Sequence, residues 1–161
     1  MEGANQTQSA ADFEVAIVGS GPAGLSAAGR AQFHDAQSGA ANPSYILLEG
    51  FHAPSKTIQQ YQKGKHVMAE PGFLDLRSDF DFQAGTRESI LGEWEGSLQA
   101  QGVNIRYGAD VTKVTKQGDI FEVGCADGSS LTARNVMHLL TGVTGQKERL
   151  ITTRYTLPYL L

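Results

Sequence analysis

The residues with the clearest chemical meaning lie near the start of the chain: Gly19-Ser20-Gly21-Pro22-Ala23-Gly24. A Gly-x-Gly-x-x-Gly run does chemistry only in the right setting, between a buried strand and a helix N-terminus. Phe13-Glu14-Val15-Ala16-Ile17-Val18 precedes it as a short, β-branched apolar run, and a helical stretch through Leu25, Ala27, Ala28, Ala31 and Phe33 follows. In that setting Gly19 allows the tight turn, Gly21 lets the backbone approach a pyrophosphate, and Gly24 lets helix and strand pack closely. Pro22 suits the first helical turn, where its missing N–H costs nothing. The helix start then offers unpaired N–H groups and a partial positive charge to phosphates.

A second element completes the pattern. Tyr45-Ile46-Leu47-Leu48-Glu49 reads as the next strand, and its terminal acid, Glu49, stands where a carboxylate accepts from both hydroxyls of an adenosine ribose and repels a 2′-phosphate. The spacing from Gly24 to Glu49 exceeds the usual interval of about 20 residues, and a polar loop over 36–44 accounts for the excess. The competing reading is a glycine-rich helix entry in another α/β fold, with Glu49 a solvated strand-end acid. Strand, glycines, helix, strand and acid in this order favour an adenine dinucleotide. Ser20 occupies a variable position of the loop and lies in no Gly-x-Ser-x-Gly elbow, so it is not read as a nucleophile.

The remaining elements must hold these residues in place. Residues 1–11 read as a disordered polar tail. Residues 50–85 read as irregular, with a short helix near Thr57 to Tyr61. Thr86 is a helix cap, Ile90, Leu91, Trp94 and Leu98 form one apolar stripe, and Gly102 ends that helix. Val103 to Tyr107 is expected as a third strand of the main sheet. Val111 to Val114, Ile120 to Cys125 and Ser130 to Ala133, parted by Gln117-Gly118-Asp119 and Asp127-Gly128, predict a three-stranded antiparallel meander. Val136 to Leu140 is expected as a separate last buried strand ending at Thr141-Gly142. The fold class is therefore α/β: a Rossmann-type FAD/NAD(P)-binding domain, with a parallel sheet, helices and an antiparallel meander.

Composition narrows the partners. The chain has 161 residues, one domain's worth, and a net charge of −4 that gives no electrostatic case for nucleic acid. The polar N-terminus lacks the apolar core of a secretory signal and no run is long enough to cross a bilayer, so the expected setting is cytoplasmic. His34, His52, His66 and His138 share no metal-ligand spacing. His138 reads as a core or edge residue, and His66 as structural, with a place beside a cofactor ring as its rival. Cys125, the single cysteine, reads as a small strand residue. Trp94 belongs to the core stripe, and Arg77-Ser78-Asp79 to local ion pairing.

Three stretches resemble a family: the Gly19–Gly24 run, Glu49-Gly50, and Leu139-Leu140-Thr141-Gly142-Val143-Thr144-Gly145-Gln146. Together they are similar to the FAD domain of the two-dinucleotide-binding flavoprotein oxidoreductases, the superfamily of thioredoxin-reductase-like, bacillithiol-disulfide-reductase-like and flavin monooxygenase proteins. The resemblance covers about residues 12–150 and implies FAD rather than NAD at the first glycine loop. It implies that backbone around Asp110 and Val111 reads adenine, and that Thr141 and Gly142 lie near the pyrophosphate. It also implies that Glu70-Pro71-Gly72 forms a turn under the flavin, and that Lys56, Thr57 and His66 to Met68 lie on a loop approaching the ring.

A full member continues into an NAD(P)H domain and a last FAD segment, and thioredoxin-reductase-like members carry a redox Cys-x-x-Cys; this sequence stops at Leu161 without them. The expected organisation is a tail over 1–11, the first segment of an FAD-binding domain over 12–146, and a truncated or aberrant extension over 147–161. The expected function is the FAD-binding portion of a flavin-dependent NAD(P)H oxidoreductase. NAD(P)H would be bound only if a missing C-terminal half, a homodimer or another partner supplies its site. The alternatives are a dinucleotide-binding module or gene fragment without turnover, and a plain NAD-binding subunit, which the Pro-Ala-Gly form of the loop disfavours.

Overall fold

The computed structural model describes residues 10–68 and 78–139. Along the chain run β1 (Phe13–Val18), α1 (Pro22–Ser38), β2 (Tyr45–Glu49), α2 (Lys56–Gln59), β3 (His66–Val67), β4 (Gly85–Thr86), α3 (Arg87–Gln101), β5 (Ile105–Tyr107), β6 (Val111–Gln117), β7 (Ile120–Cys125) and β8 (Ser130–His138). One mixed sheet has the order β5-β2-β1-β8-β7-β6. Its first four strands are parallel, and β7 and β6 continue it antiparallel.

Strand alternation sorts the core into two clusters on opposite faces of the parallel strands. Ile17, Tyr45 and Leu47 point to one side, where they meet Leu25 and Ala28 of α1 and Ile90, Leu91, Trp94 and Leu98 of α3. Ala16, Val18, Ile46 and Leu48 point to the other, where they meet Val123, Cys125, Leu131 and Ala133 of the antiparallel strands. Strands buried on both faces read as unbroken apolar runs, and 15–18 and 45–48 do so, while Glu14 near the start of β1 is exposed. Cys125 and Trp94 are accordingly core residues. The Trp94 indole N–H donates to the Asp81 carbonyl at 3.2 Å, and its ring meets Phe82 edge-on at 5.3 Å.

Helix ends follow their expected chemistry. The Thr86 hydroxyl caps α3 by accepting from the Ser89 N–H, and Gly102 closes it in the left-handed conformation. α1 runs further than expected: it continues to Ser38 and closes on Gly39, so the loop begins there rather than at 36. Asp35 holds the return by accepting from both the N–H and the hydroxyl of Ser44, at 2.8 and 2.6 Å. Phe33 of this helix is exposed and lies under the Arg30 guanidinium.

Two further expectations change. The stretch 50–85 is not wholly irregular, because His66–Val67 pairs antiparallel with Gly85–Thr86 just before α3. Ser130 to Ala133 and Val136 to His138 are not separate strands but one, β8, and Leu140 lies outside the described residues. Ala133 pairs with Phe121 on one side and with Phe13 on the other. The polar pair Arg134-Asn135 resembled a break, yet both side chains are partnered within the sheet. Arg134 Nε donates to the Glu14 carboxylate and Asn135 Nδ2 to the Glu14 carbonyl, each at 3.1 Å.

Candidate dinucleotide site

In the sheet order, the chain steps from β1 to β2 to β5 in one direction, then returns to the other side of β1 with β8. Ligands of open α/β sheets bind at such a reversal, outside the carboxyl ends of the strands. Gly19 to Gly24 lies there. The Gly19 N–H donates to the Leu48 carbonyl and the Leu139 N–H to the Val18 carbonyl, both at 2.9 Å. Thr141 and Gly142 lie outside the described residues, as do Glu70, Pro71 and Gly72.

The glycines have different tasks. Gly19 has φ +101°, a conformation that side chains rarely adopt. A Cβ on Gly24 would overlap the Gly19 carbonyl oxygen and lie 3.0 Å from its carbon, so this glycine is required for the helix–strand contact. Gly21 has ordinary extended angles, φ −66° and ψ 177°, and a Cβ there would meet nothing within 4 Å. The unusual backbone angle of the loop therefore belongs to Gly19, and what Gly21 keeps clear is space. That space adjoins the start of α1, where Pro22 and Ala23 open the helix, no side chain caps the N-terminus and the first turn holds no acid. An anion is the ligand such a cradle fits.

Glu49 is buried, 7% exposed, which rules out a solvated strand-end acid. Its Oε2 accepts from the Ser20 N–H at 3.1 Å and from the Ser20 hydroxyl, and its Oε1 accepts from the Phe51 N–H at 2.8 Å. Ser20 in turn is held by Ser55. The Ser55 N–H donates to Ser20 Oγ at 3.0 Å and the Ser55 hydroxyl to the Ser20 carbonyl at 2.8 Å. Among the described residues no buried side-chain polar atom is left unpartnered, so this network is closed.

Gly50 adjoins Asp110: a Cβ on Gly50 would lie 3.3 Å from both Asp110 Cα and Oδ1. The Ala109 N–H donates to the Glu49 carbonyl at 2.9 Å, so Asp110 and Val111, the first residue of β6, lie beside the end of β2. Lys56 and Thr57 open α2 directly after Ser55, exposed and next to the glycine loop. Thus 19–24, 49–50, 56–57 and 110–111 are brought to one end of the sheet. His66 to Met68 are not joined to them, being paired or adjacent to β4 ahead of α3.

Ser55, Phe51 and Tyr107 are absent from the residues anticipated. Tyr107 pairs with Glu49 across β2 and β5, and burial, then the charges of Glu95 and Glu49, push its phenol pKa up. Pro54-Ser55 ahead of a short helix has the composition of a helix entry, but nothing in it reveals the bond to Ser20. Asp79 pairs with Arg30 of α1 at 3.6 Å, a partner far along the chain rather than a local one, and Arg77 lies outside the described residues. His138 stands opposite Val18 at the end of β8, and burial lowers its imidazole pKa. Among the described residues no cluster of His, Cys, Asp or Glu is placed to hold a metal, and no helix is long and apolar enough to cross a membrane.

The fold is Rossmann-type, and the solved structures it resembles share that fold. In sequence the chain is 22% identical over 125 residues to a ferredoxin–NADP reductase from Leuconostoc mesenteroides, covering 78% of this chain and 32% of that protein. Among solved structures it resembles a flavin-containing monooxygenase from Stenotrophomonas maltophilia, with TM-score 0.59, 21% identity, and 78% and 37% of the two chains covered. It also resembles a bacillithiol disulfide reductase from Staphylococcus aureus, with TM-score 0.61, 18% identity, and the same coverage of 78% and 37%. A third, OTEMO in complex with FAD and NADP, gives TM-score 0.61 at 14% identity over 89% of this chain and 28% of that one. The chain spans about a third of the length of the curated relative it matches. No family model matches.

Proposed function

We propose that this chain holds FAD by its ADP end, as the FAD-binding portion of a flavin-dependent oxidoreductase. The observation that carries the reading is the division of labour in the glycine loop: Gly19 and Gly24 lock strand to helix, while Gly21 leaves open space at the uncapped start of the 17-residue α1. A pyrophosphate placed there meets N–H donors and the positive end of the helix dipole. Glu49 would take the adenosine ribose. A carboxylate has about four lone-pair positions, and Ser20 and Phe51 use three, so one hydroxyl bond is the reading its surroundings support, rather than two. Gly50, Asp110 and Val111 would flank adenine, and Lys56 and Thr57 would face the flavin side. Thr141 and Gly142, by resemblance, would close on the pyrophosphate.

Bound FAD would supply the electron chemistry, and the protein its position and surroundings. NAD(P)H as electron donor, and the unit 12–146 as the first FAD segment, complete the proposal. Calorimetric titration of the chain with ADP, FAD and adenosine 2′,5′-bisphosphate tests it. ADP and FAD should bind, and the 2′-phosphate should bind more weakly because it meets the buried Glu49 charge. Absence of ADP and FAD binding defeats the proposal.

A further inference from the structure

Ser55 breaks two local rules at once. It is the N-cap of α2, where serine ordinarily spends its side-chain oxygen on the helix's own N–H groups, yet it makes no such bond. It also has φ +58°, the one positive φ at a non-glycine position among the described residues. Such conformations persist where the surroundings over-determine them, and they concentrate at functional sites. Both of its donors face Ser20, the N–H toward Oγ and the hydroxyl toward the carbonyl. α2 is fixed at its other end as well: Arg87 Nε donates to the Ile58 carbonyl at 3.2 Å and Arg87 Nη2 to the Gln59 carbonyl at 2.7 Å. The turn is therefore a strut between the glycine loop and α3.

The Ser20 carbonyl shares a planar peptide with the Gly21 N–H, and in a trans peptide the two point in opposite directions. Whatever orients the carbonyl orients the N–H. The Gly19 N–H is taken by Leu48 and the Ser20 N–H by Glu49, whereas the Gly21 N–H has no acceptor among the described residues. We infer that Ser55 is a positioning residue for the anion cradle: its hydroxyl holds the Ser20–Gly21 peptide so that the Gly21 N–H faces the pyrophosphate. The inference rests on the dinucleotide reading and deepens it.

The test uses two substitutions in the full chain and two probes, ADP and adenosine, with affinities read by calorimetry or NMR titration. Ser55→Gly removes the hydroxyl while keeping the positive φ without strain. Ser55→Ala removes the hydroxyl and keeps the strain. Both should bind ADP about tenfold more weakly, the loss expected for one charge-assisted hydrogen bond, and adenosine as the unsubstituted chain does. Their melting temperatures should differ, with Ser55→Gly the more stable, so that affinity follows the hydroxyl and stability follows the Cβ. Unchanged ADP affinity in Ser55→Gly overturns the inference, and so does an equal loss for adenosine, which carries no phosphate. An unsubstituted chain that binds no ADP overturns the dinucleotide reading and this inference with it.

Discussion

Gly21 and Gly24 belong to one motif but should fail in opposite ways. In Gly24→Ala the new Cβ overlaps the Gly19 carbonyl oxygen. That carbonyl cannot swing aside cheaply, because Gly19 is held at φ +101° with its N–H on Leu48. Relief requires α1 to move off β1, opening the contact among Leu25, Ala28, Ile17 and Leu47. Overpacking of this kind costs about 3 kcal/mol, the upper part of the usual range. At this chain size that lowers Tm by roughly 6–12 °C. In Gly21→Ala the new Cβ meets nothing and φ is already −66°. Alanine is the poorer N-cap by up to about 1 kcal/mol, and it removes a similar amount of unfolded-chain entropy. The two offset, and Tm should hold within about 4 °C. ADP binding should reverse the order of tolerance: Gly21→Val, whose side chain fills the cradle, should abolish binding in a folded protein. Thermal unfolding followed by circular dichroism, with ADP titration of the folded variants, provides the assay. Equal destabilisation by Gly21→Ala and Gly24→Ala would refute the division of labour, and wild-type ADP affinity in Gly21→Val would refute the cradle.

Glu49→Ala should weaken ADP binding by about 1.5–3 kcal/mol, as expected for losing an ionised hydrogen-bond acceptor. It should also lower Tm by stranding the donors of Ser20 and Phe51, whereas Glu49→Gln should spare more stability than affinity. Thr86→Ala removes the side-chain acceptor for the Ser89 N–H and should cost about 1 kcal/mol in denaturant unfolding, with ADP affinity unchanged. Burial depresses the His138 pKa below its ordinary 6.5, so the folded state binds the proton less readily than the unfolded one. His138 should therefore subtract stability as pH falls through 6.5, the loss levelling off below the folded pKa, and His138→Gln should flatten that part of the curve.

The legible parts of the structure were those written in local pattern. β2 and the second half of β1 could be read because double-sided burial leaves apolar runs, and α3 because Thr86, its apolar stripe and Gly102 each obey a local rule. The glycine loop was legible for the same reason. What escaped depends on partners far along the chain. Arg134-Asn135 looked like a break because nothing nearby says that Glu14 will receive both side chains. Ser55 escaped because its bonds reach back 35 residues, and its backbone angle is imposed from outside. Glu49 ends β2 as its sequence position suggests, but its engagement with Ser20 is not visible there, since a strand-end acid reads the same whether its oxygens face solvent or a neighbouring loop.

The shared strand β8 has a consequence for biosynthesis. β1 leaves the ribosome early, yet one of its two neighbours lies some 120 residues later, as the Glu14–Arg134 bond marks. At usual translation rates that delay is on the order of ten seconds. For that interval one edge of β1 stands open, with Val15 to Val18 as an apolar template for a passing strand. The crevice beside the glycine loop cannot exist until β8 arrives to close it. A ligand that needs this crevice therefore cannot assist folding until synthesis has passed His138.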